Sequence, residues 1–127
     1  MHHSDLTDWG LGKVKINRDF TILDVGCGGG KSLTKLANFA PLGKVYGIDC
    51  SKDMVEYSKE VNRDLIAQDR VSVTEGSVDK TGFRDNFFDL VTAIETYYFW
   101  SSLPDAFKEI QRILKADGNF LMINEMI

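Results

Sequence analysis

Two short stretches of this 127-residue chain bring glycines and carboxylates together in a way that could hold a ligand. In the first, the apolar run Leu23–Val25, which contains Asp24, leads directly into a glycine-rich segment at residues 26–30. The second, Val45–Asp49, is another apolar run and ends on a carboxylate. Glycines after a buried strand let the backbone approach a ligand closely, and an acid at the end of the next strand can accept hydrogen bonds from both hydroxyls of a ribose. The spacing therefore indicates a site for a ligand that carries an adenosine.

The glycine spacing argues against a dinucleotide site. Such a site needs G-x-G-x-x-G, in which the third glycine allows close packing of the helix on the strand. Gly26 and Gly28 fit the first two places, but Lys31 stands in the third. The charge of Asp24 would also repel a diphosphate. An NAD-linked oxidoreductase is therefore the weaker alternative.

A phosphate-binding P-loop, G-x-x-x-x-G-K-[ST], fails as well. Its last three residues are present as Gly30, Lys31 and Ser32, but Val25 stands where its first glycine should be. Val25 also belongs to the predicted strand, so the loop is one residue too short to wrap a phosphate. What fits is the pattern acid-x-Gly-x-Gly-x-Gly over residues 24–30.

Apolar periodicity and helix breakers predict the elements that must position these residues. Five strands are predicted, at Thr21–Val25, Lys44–Asp49, Val71–Glu75, Phe88–Ile94 and Phe120–Asn124. Helices are predicted at Asp5–Leu11, Lys31–Phe39, Pro104–Leu114 and from about Lys52 to Ala67. Strands that alternate with helices predict an α/β fold with a parallel sheet and right-handed crossovers.

The spacing of apolar residues also predicts which side of each helix packs on the sheet. The predicted inner face of the helix after the glycines is Leu33, Leu36 and Ala37 or Ala40. That of the next helix is Met54, Val55, Val61 and Leu65, with Tyr57 or Ser58 beside them, and that of the last is Phe107, Ile110, Ile113 and Leu114.

Composition narrows the classes of function. A hydrophobic content of 43% is ordinary for one globular domain, and a net charge of −4 without a basic run argues against binding to nucleic acid. No apolar run is long enough to span a membrane and the N-terminus lacks a signal-peptide core, so we expect a cytoplasmic protein with no membrane partner. Cys27 and Cys50 lack metal-ligand spacing, and we expect two reduced thiols and no metal site.

The acid-and-glycine pattern of Asp24, Gly26, Gly28 and Gly30 resembles motif I of the class I S-adenosylmethionine-dependent methyltransferases. Residues 76–91 are similar to that family's exit from strand three and its lead into strand four, and residues 110–118 are similar to its turn into strand five. The resemblance covers roughly residues 20–127, with residues 1–19 as a separate N-terminal segment. It is strongest toward the small-molecule branch that includes the ubiquinone and menaquinone C-methyltransferases.

The resemblance implies a three-layer Rossmann-like sheet with strand order 3-2-1-4-5. It also implies S-adenosylmethionine as cofactor, with S-adenosylhomocysteine as product. By position it implies that Asp49 binds the ribose hydroxyls and that Cys50 and Met54 lie against the adenine face. It also implies that Ser77 and Val78 contact the adenine edge. The full set of implied cofactor-binding residues is Asp24, Gly26, Cys27, Gly28, Asp49, Cys50, Met54, Ser77, Val78 and Glu95. Ser77 stands where relatives often have an acid, so we expect weaker selection of adenine.

The predicted fourth strand leads into an acid followed by aromatic residues, at positions 95–100. Such a patch could pack an apolar acceptor, and aromatic faces attract a sulfonium. Methyl transfer gains much from positioning the two reactants and needs a base only if the acceptor loses a proton. Glu95, Tyr97 and Tyr98 are the candidate catalytic residues. We therefore expect a methyltransferase with a small-molecule acceptor; the alternative is a non-catalytic module that binds S-adenosylmethionine.

The chain stops just after the predicted fifth strand, whereas the resembled family normally adds a hairpin of strands six and seven. Without that hairpin, strand five would be an apolar edge open to pairing with another chain. A fragment of a longer protein, a homodimer through this edge, and a natural short form are the three explanations, and the fragment is favoured.

Overall fold

The computed structural model describes residues 10, 12, 14–94 and 100–123. Five strands form one parallel sheet in the order β3-β2-β1-β4-β5. The strands are β1 (Thr21–Val25), β2 (Lys44–Asp49), β3 (Val71–Glu75), β4 (Phe88–Ile94) and β5 (Leu114–Ile123). The helices are α1 (Lys31–Phe39), α2 (Lys52–Val61), α3 (Arg63–Ala67) and α4 (Leu103–Ile113). The predicted strand order is confirmed, and so are the bounds of β1 to β4 and of α1.

The order of the strands reverses beside β1, which is where a crevice opens in sheets of this kind. The chain runs outward from β1 to β2 and β3 and then returns to β4 on the other side of β1. In sheets of this kind ligands bind beyond the carboxyl ends of the strands, where the order reverses. Both stretches singled out by the sequence end at this edge, because the glycines follow β1 and Asp49 closes β2.

Each face of the sheet carries its own core. Side chains alternate between the two faces of a strand, so Ile22 packs in one cluster and Leu23 in the other. The first cluster joins the sheet to Leu33 and Leu36 of α1 and to residues of α2 and α3. The second joins it to Ile110 and other residues of α4. This three-layer arrangement confirms the predicted fold class.

Two elements differ from their predicted forms. The helix predicted from Lys52 to Ala67 is broken at Asn62, whose φ of −106° and ψ of 21° separate α2 from α3. The strand predicted at Phe120–Asn124 begins at Leu114, because Leu114 already pairs with Phe88 before the register shifts. The predicted turn after Leu114 therefore lies within an irregular stretch of β5. The helix predicted at Asp5–Leu11 lies outside the described residues, apart from Gly10.

The inner faces of two helices also differ from the prediction. In α2 the buried side chains are Val55 and Ser58, whereas Met54 and Val61 are exposed. In α4 Phe107 is exposed, and Ala106 takes its place beside Ile110 and Ile113. The inner face of α2 differs because Ser58 points inward, where its hydroxyl binds the glycine segment.

At the amino ends of the strands, Arg70 closes the C-terminal end of α1. Its guanidinium donates to the carbonyl oxygens of Ala37, Ala40 and Gly43 at 2.9, 2.7 and 2.9 Å. The last carbonyls of a helix have no partner within the helix, and a cation there also complements the helix dipole.

Arg70→Met should therefore lower the free energy of unfolding by about 2–3 kcal/mol, because it removes three hydrogen bonds to carbonyls, although that of Ala40 keeps a second donor, the N–H of Gly43. Urea denaturation measures the loss. Arg63→Met is the matched control, since Arg63 forms an exposed pair with Glu60 and should cost less than about 0.5 kcal/mol. Equal losses for the two variants would contradict the capping role.

None of the helices in the described part of the chain is long and apolar enough to cross a membrane. Within the same residues, no group of three or more His, Cys, Asp or Glu side chains could hold a metal ion.

Candidate functional site

The glycine loop, residues 26–30, crosses from the end of β1 to the start of α1 and is fixed to the neighbouring strand. The N–H groups of Gly26 and Cys27 both donate to the carbonyl of Ile48 in β2, at 2.7 and 3.0 Å. Gly26, Gly28 and Gly30 all have positive φ, at 71°, 54° and 86°. Residues with a Cβ rarely adopt this region, so the turn depends on glycine.

Asp49 fastens the middle of the glycine loop. Its Oδ2 accepts a hydrogen bond from the N–H of Gly28 at 3.0 Å, and its Oδ1 accepts one from the N–H of Ser51 at 2.9 Å. The carboxylate thus joins the loop to the segment that enters α2. Each carboxylate oxygen can accept a second hydrogen bond, and Asp49 is only half-buried. The group therefore retains acceptor capacity toward a ligand.

Asp24 lies beneath the loop and is fully buried. Its Oδ2 accepts from the hydroxyl of Ser32 at 2.5 Å and its Oδ1 from the hydroxyl of Thr92 at 2.7 Å. Burial raises the pKa of Asp24 to about 6; the bonds from Ser32 and Thr92 oppose that rise, and the negative charge of Asp49 adds to it. The two acids therefore make the floor of the crevice electronegative once Asp24 loses its proton.

This raised pKa predicts how stability depends on pH. Between about pH 4 and pH 6 the native protein keeps a proton on Asp24 that the unfolded chain has lost, so stability falls as pH rises through that window and then levels off. The contribution amounts to about 3 kcal/mol. Urea denaturation of the wild type and of Asp24→Asn across this range measures it. As pH rises from about 4 to 6, the free energy of unfolding of the wild type should fall relative to that of Asp24→Asn. A difference between the two that does not change with pH would contradict the burial of Asp24 as the cause.

Two buried polar side chains, Ser58 in α2 and Asn62 just after it, hold the glycine loop from the other side. Ser58 Oγ donates to the carbonyl of Gly28 at 2.6 Å, and Asn62 Nδ2 donates to the carbonyl of Gly30 at 2.9 Å. Both side chains are almost fully buried, at 0% and 1% exposure. Thr34 of α1 donates to Asn62 Oδ1 at 2.8 Å, which orients the amide.

The glycine loop is open on one side and closed on the other. A Cβ placed on Gly28 would meet no atom within 4 Å, whereas one on Gly30 would lie 2.8 Å from Asn62 Nδ2 and 2.9 Å from Ser58 Cα. Gly28 therefore borders free space beside Asp49, and Gly30 is packed against α2. Space at Gly28 is what a ligand crossing the loop would need.

The two cysteines are free thiols in different surroundings. Cys27 is buried and its Sγ lies 3.5 Å from Ser58 Oγ. Burial raises the pKa of the Cys27 thiol to about 12, so the group is an inert packing residue at neutral pH. Cys50 is exposed, as is Met54 with 44% of its surface accessible. The two residues predicted for the adenine face thus present free surface near the end of β2.

The exit of β3 adds two more of the predicted residues to this edge. The N–H of Gly76 donates to the carbonyl of Asp49 at 3.0 Å, which brings the following Ser77 and Val78 alongside β2. Ser77 is exposed, and its hydroxyl donates to the carboxylate of Asp79. The side chain of Val78 is buried. The structure thus brings Gly28, Asp49 and the residues after β3 together at the carboxyl ends of the strands. Glu95, Tyr97 and Tyr98 lie outside the described residues.

Sequence reasoning missed the polar residues that hold the site together: Ser32, Ser58, Asn62 and Thr92. A signal for two of them was present, because Ser58 and Asn62 are four residues apart and lie on the same helix side as Val55. A polar pair on an inner helix face indicates buried hydrogen bonds, since unpaired polar groups are costly to bury. Thr92 gave no such signal, because its partner Asp24 is 68 residues away in sequence, and Ser32 gave none although Asp24 is only eight residues away.

Known proteins share these features. A family model described as a methyltransferase domain matches residues 23–122. A demethylmenaquinone methyltransferase of Symbiobacterium thermophilum is 36% identical over 103 residues, which cover 80% of this chain and 41% of that protein. A sterol 4-C-methyltransferase of Caenorhabditis elegans is 29% identical over 110 residues, or 87% of this chain and 32% of that protein.

A solved structure agrees with the fold. The crystal structure of the YcgJ protein of Bacillus subtilis matches with a TM-score of 0.81 at 27% identity, and the match covers 95% of this chain and 50% of that one. This chain therefore spans half or less of the length of these three relatives.

Proposed function

The chain belongs to the class I S-adenosylmethionine-dependent methyltransferases, and from that membership we propose that it transfers a methyl group from S-adenosylmethionine to a small-molecule acceptor. The single observation that carries the proposal is the hydrogen bond that the N–H of Gly28 donates to Asp49 Oδ2. It places a carboxylate with spare acceptor capacity beside open backbone, at the crevice where such sheets bind nucleosides.

The described residues fit the cofactor chemically. S-adenosylmethionine carries a ribose with two hydroxyls, an ammonium and a sulfonium, so it needs hydrogen-bond acceptors and a negative environment. Asp49 offers the first and the charges of Asp49 and Asp24 offer the second. The free space at Gly28 gives the ligand room to cross the loop. A diphosphate would meet the charge of Asp24, and the loop lacks the first glycine of a P-loop, where Val25 stands.

Each residue of the site has a proposed part. Asp49 binds the ribose hydroxyls, and the exposed Cys50 and Met54 border the adenine face. Ser77 and the backbone of Val78 approach the adenine edge. The backbone of Gly26, Cys27 and Gly28 passes beneath the methionine part. Asp24 has no exposed surface, so we propose that it holds the loop and acts on the ammonium through its charge.

Methyl transfer requires no covalent bond between the protein and the reactants. The cofactor supplies an electrophilic methyl group on a positively charged sulfur. The chain's own residues hold the two reactants in line and exclude water, and such positioning can lower the barrier by several kcal/mol. Where the acceptor must lose a proton, Glu95, Tyr97 or Tyr98 would take it, and this assignment stays a prediction.

We propose an apolar acceptor. The relatives named above act on a demethylmenaquinone and a sterol, by their names. The described part of this chain carries three neighbouring aromatic rings after β4. The ring centroid of Phe107 lies 6.1 Å from that of Trp100 and 6.0 Å from that of Phe120. Phe107 and the neighbouring Leu103 are 43% and 40% exposed, which leaves apolar surface for a hydrophobic ligand.

A transfer assay tests the function. The chain is incubated with methyl-labelled S-adenosylmethionine and a panel of reduced quinones and sterols, with polar amines as the comparison group. Label in an apolar product supports the proposal, and label only in a polar amine would contradict the acceptor class. Binding of the cofactor without transfer to any acceptor would favour a non-catalytic binding module. The predicted homodimer through the edge of β5 also stays a prediction, which light scattering can test.

A further inference from the structure

Ser58 of α2 and Asn62, which follows α2, help to fix how two peptide units of the glycine loop are turned. Ser58 binds the carbonyl of Gly28 and Asn62 binds the carbonyl of Gly30. The N–H of Thr34 also donates to the carbonyl of Gly30, at 3.4 Å. A trans peptide is planar, with its C=O and N–H pointing in opposite directions, and the described residues contain no cis peptide bond. The N–H groups of Gly29 and Lys31 must therefore point away from α2.

Both donors lie at accessible positions. Gly29 and Lys31 are exposed, in contrast to the buried Gly30 between them. The N–H of Lys31 also belongs to the first turn of α1, where backbone donors have no partner within the helix. Two backbone donors are thus presented together on the side of the loop opposite Ser58 and Asn62.

We propose that Ser58 and Asn62 are positioning residues for the cofactor: they turn the N–H groups of Gly29 and Lys31 toward the carboxylate of its amino-acid end. This inference rests on the proposed function, because it requires S-adenosylmethionine in the crevice. The carboxylate is the negatively charged acceptor of the ligand, and charge-assisted hydrogen bonds from backbone N–H groups are the stronger kind.

Burial explains why these residues act on binding and not merely on packing. A serine and an asparagine at 0% and 1% exposure are costly unless their polar atoms are paired. Here the pairing partners are the loop carbonyls themselves, so the side chains and the loop fix each other. Thr34 adds a third point by holding the amide of Asn62 in the donating orientation.

Calorimetric titration with two ligands tests the proposal. S-adenosylhomocysteine has the amino-acid carboxylate, and adenosine lacks it. For Ser58→Ala and Asn62→Ala we expect affinity for S-adenosylhomocysteine to fall about tenfold, and affinity for adenosine to fall less than about threefold. Thr34→Val, which keeps the side-chain volume, should give a smaller loss of the same selectivity and covers the case in which Asn62→Ala does not fold.

Arg70→Met is the matched control, because it removes partly buried hydrogen bonds at the amino ends of the strands, opposite the site. It should lower the melting temperature and leave both affinities unchanged in the folded protein. Equal weakening of both ligands by Ser58→Ala and Asn62→Ala, or no weakening of either, would overturn the positioning role while leaving the proposed function intact. A wild-type chain that binds neither ligand would overturn both.

Discussion

Asp49→Ala should weaken the binding of S-adenosylhomocysteine by at least about 100-fold. The variant loses the acceptor proposed for both ribose hydroxyls, and two hydrogen bonds to a charged group are together worth about 3 kcal/mol or more. It also releases the N–H groups of Gly28 and Ser51, which the carboxylate holds at 3.0 and 2.9 Å. Calorimetric titration measures the loss directly.

Glu75→Ala is the control for this variant. Glu75 is the register partner of Asp49 on β3 and also ends its strand with a carboxylate, but it is exposed. Its removal changes the charge of the same sheet edge without touching the glycine loop. The affinity of Glu75→Ala should stay within about threefold of the wild type. An Asp49→Ala protein that is folded and binds as tightly as Glu75→Ala would remove Asp49 from the ribose role.

Two alanine substitutions in the glycine loop should separate stability from binding. In Gly30→Ala the new Cβ would lie 2.8 Å from Asn62 Nδ2 and 2.9 Å from Ser58 Cα, at a φ of 86°. Both the clash and the backbone strain destabilise the fold, by about 2–5 kcal/mol in total. Differential scanning calorimetry should show a fall in melting temperature of roughly 10 °C.

Gly28→Ala is its counterpart. The φ of 54° costs about 1 kcal/mol, but the Cβ meets nothing within 4 Å. The variant should therefore melt close to the wild type and yet lose affinity for S-adenosylhomocysteine, because the methyl group occupies space that the ligand needs. A Gly28→Ala protein with full affinity would show that the ligand does not cross the loop at this position.

The sequence predicted the sheet well because local patterns encode it. Apolar runs bounded by glycine or proline gave the bounds of β1 to β4, and the alternation with helices predicted a parallel sheet, whereas the strand order came from the family resemblance. The glycine pattern and Asp49 were likewise readable, since both follow directly from strands. Features that depend on a few neighbouring residues could therefore be predicted from the sequence.

The rest depends on contacts between distant residues. Asp24 bonds to Thr92 across 68 positions, and Ser58 bonds to Gly28 across 30. Apolar counting placed Met54 and Val61 on the inner face of α2, because it could not know that the loop needed polar donors there. The break at Asn62 has the same origin, as its side chain serves the carbonyls of Gly30 and Ser58.

Binding of the cofactor is the claim on which the other proposals depend, and a calorimetric titration of the full chain with S-adenosylhomocysteine, run beside one with NAD, tests it most directly. We expect saturable binding of S-adenosylhomocysteine at a stoichiometry near one and no binding of NAD, because Asp24 disfavours a diphosphate and Lys31 stands where a dinucleotide site needs its third glycine. Binding of NAD, or the absence of binding by S-adenosylhomocysteine to the folded chain, would contradict the account.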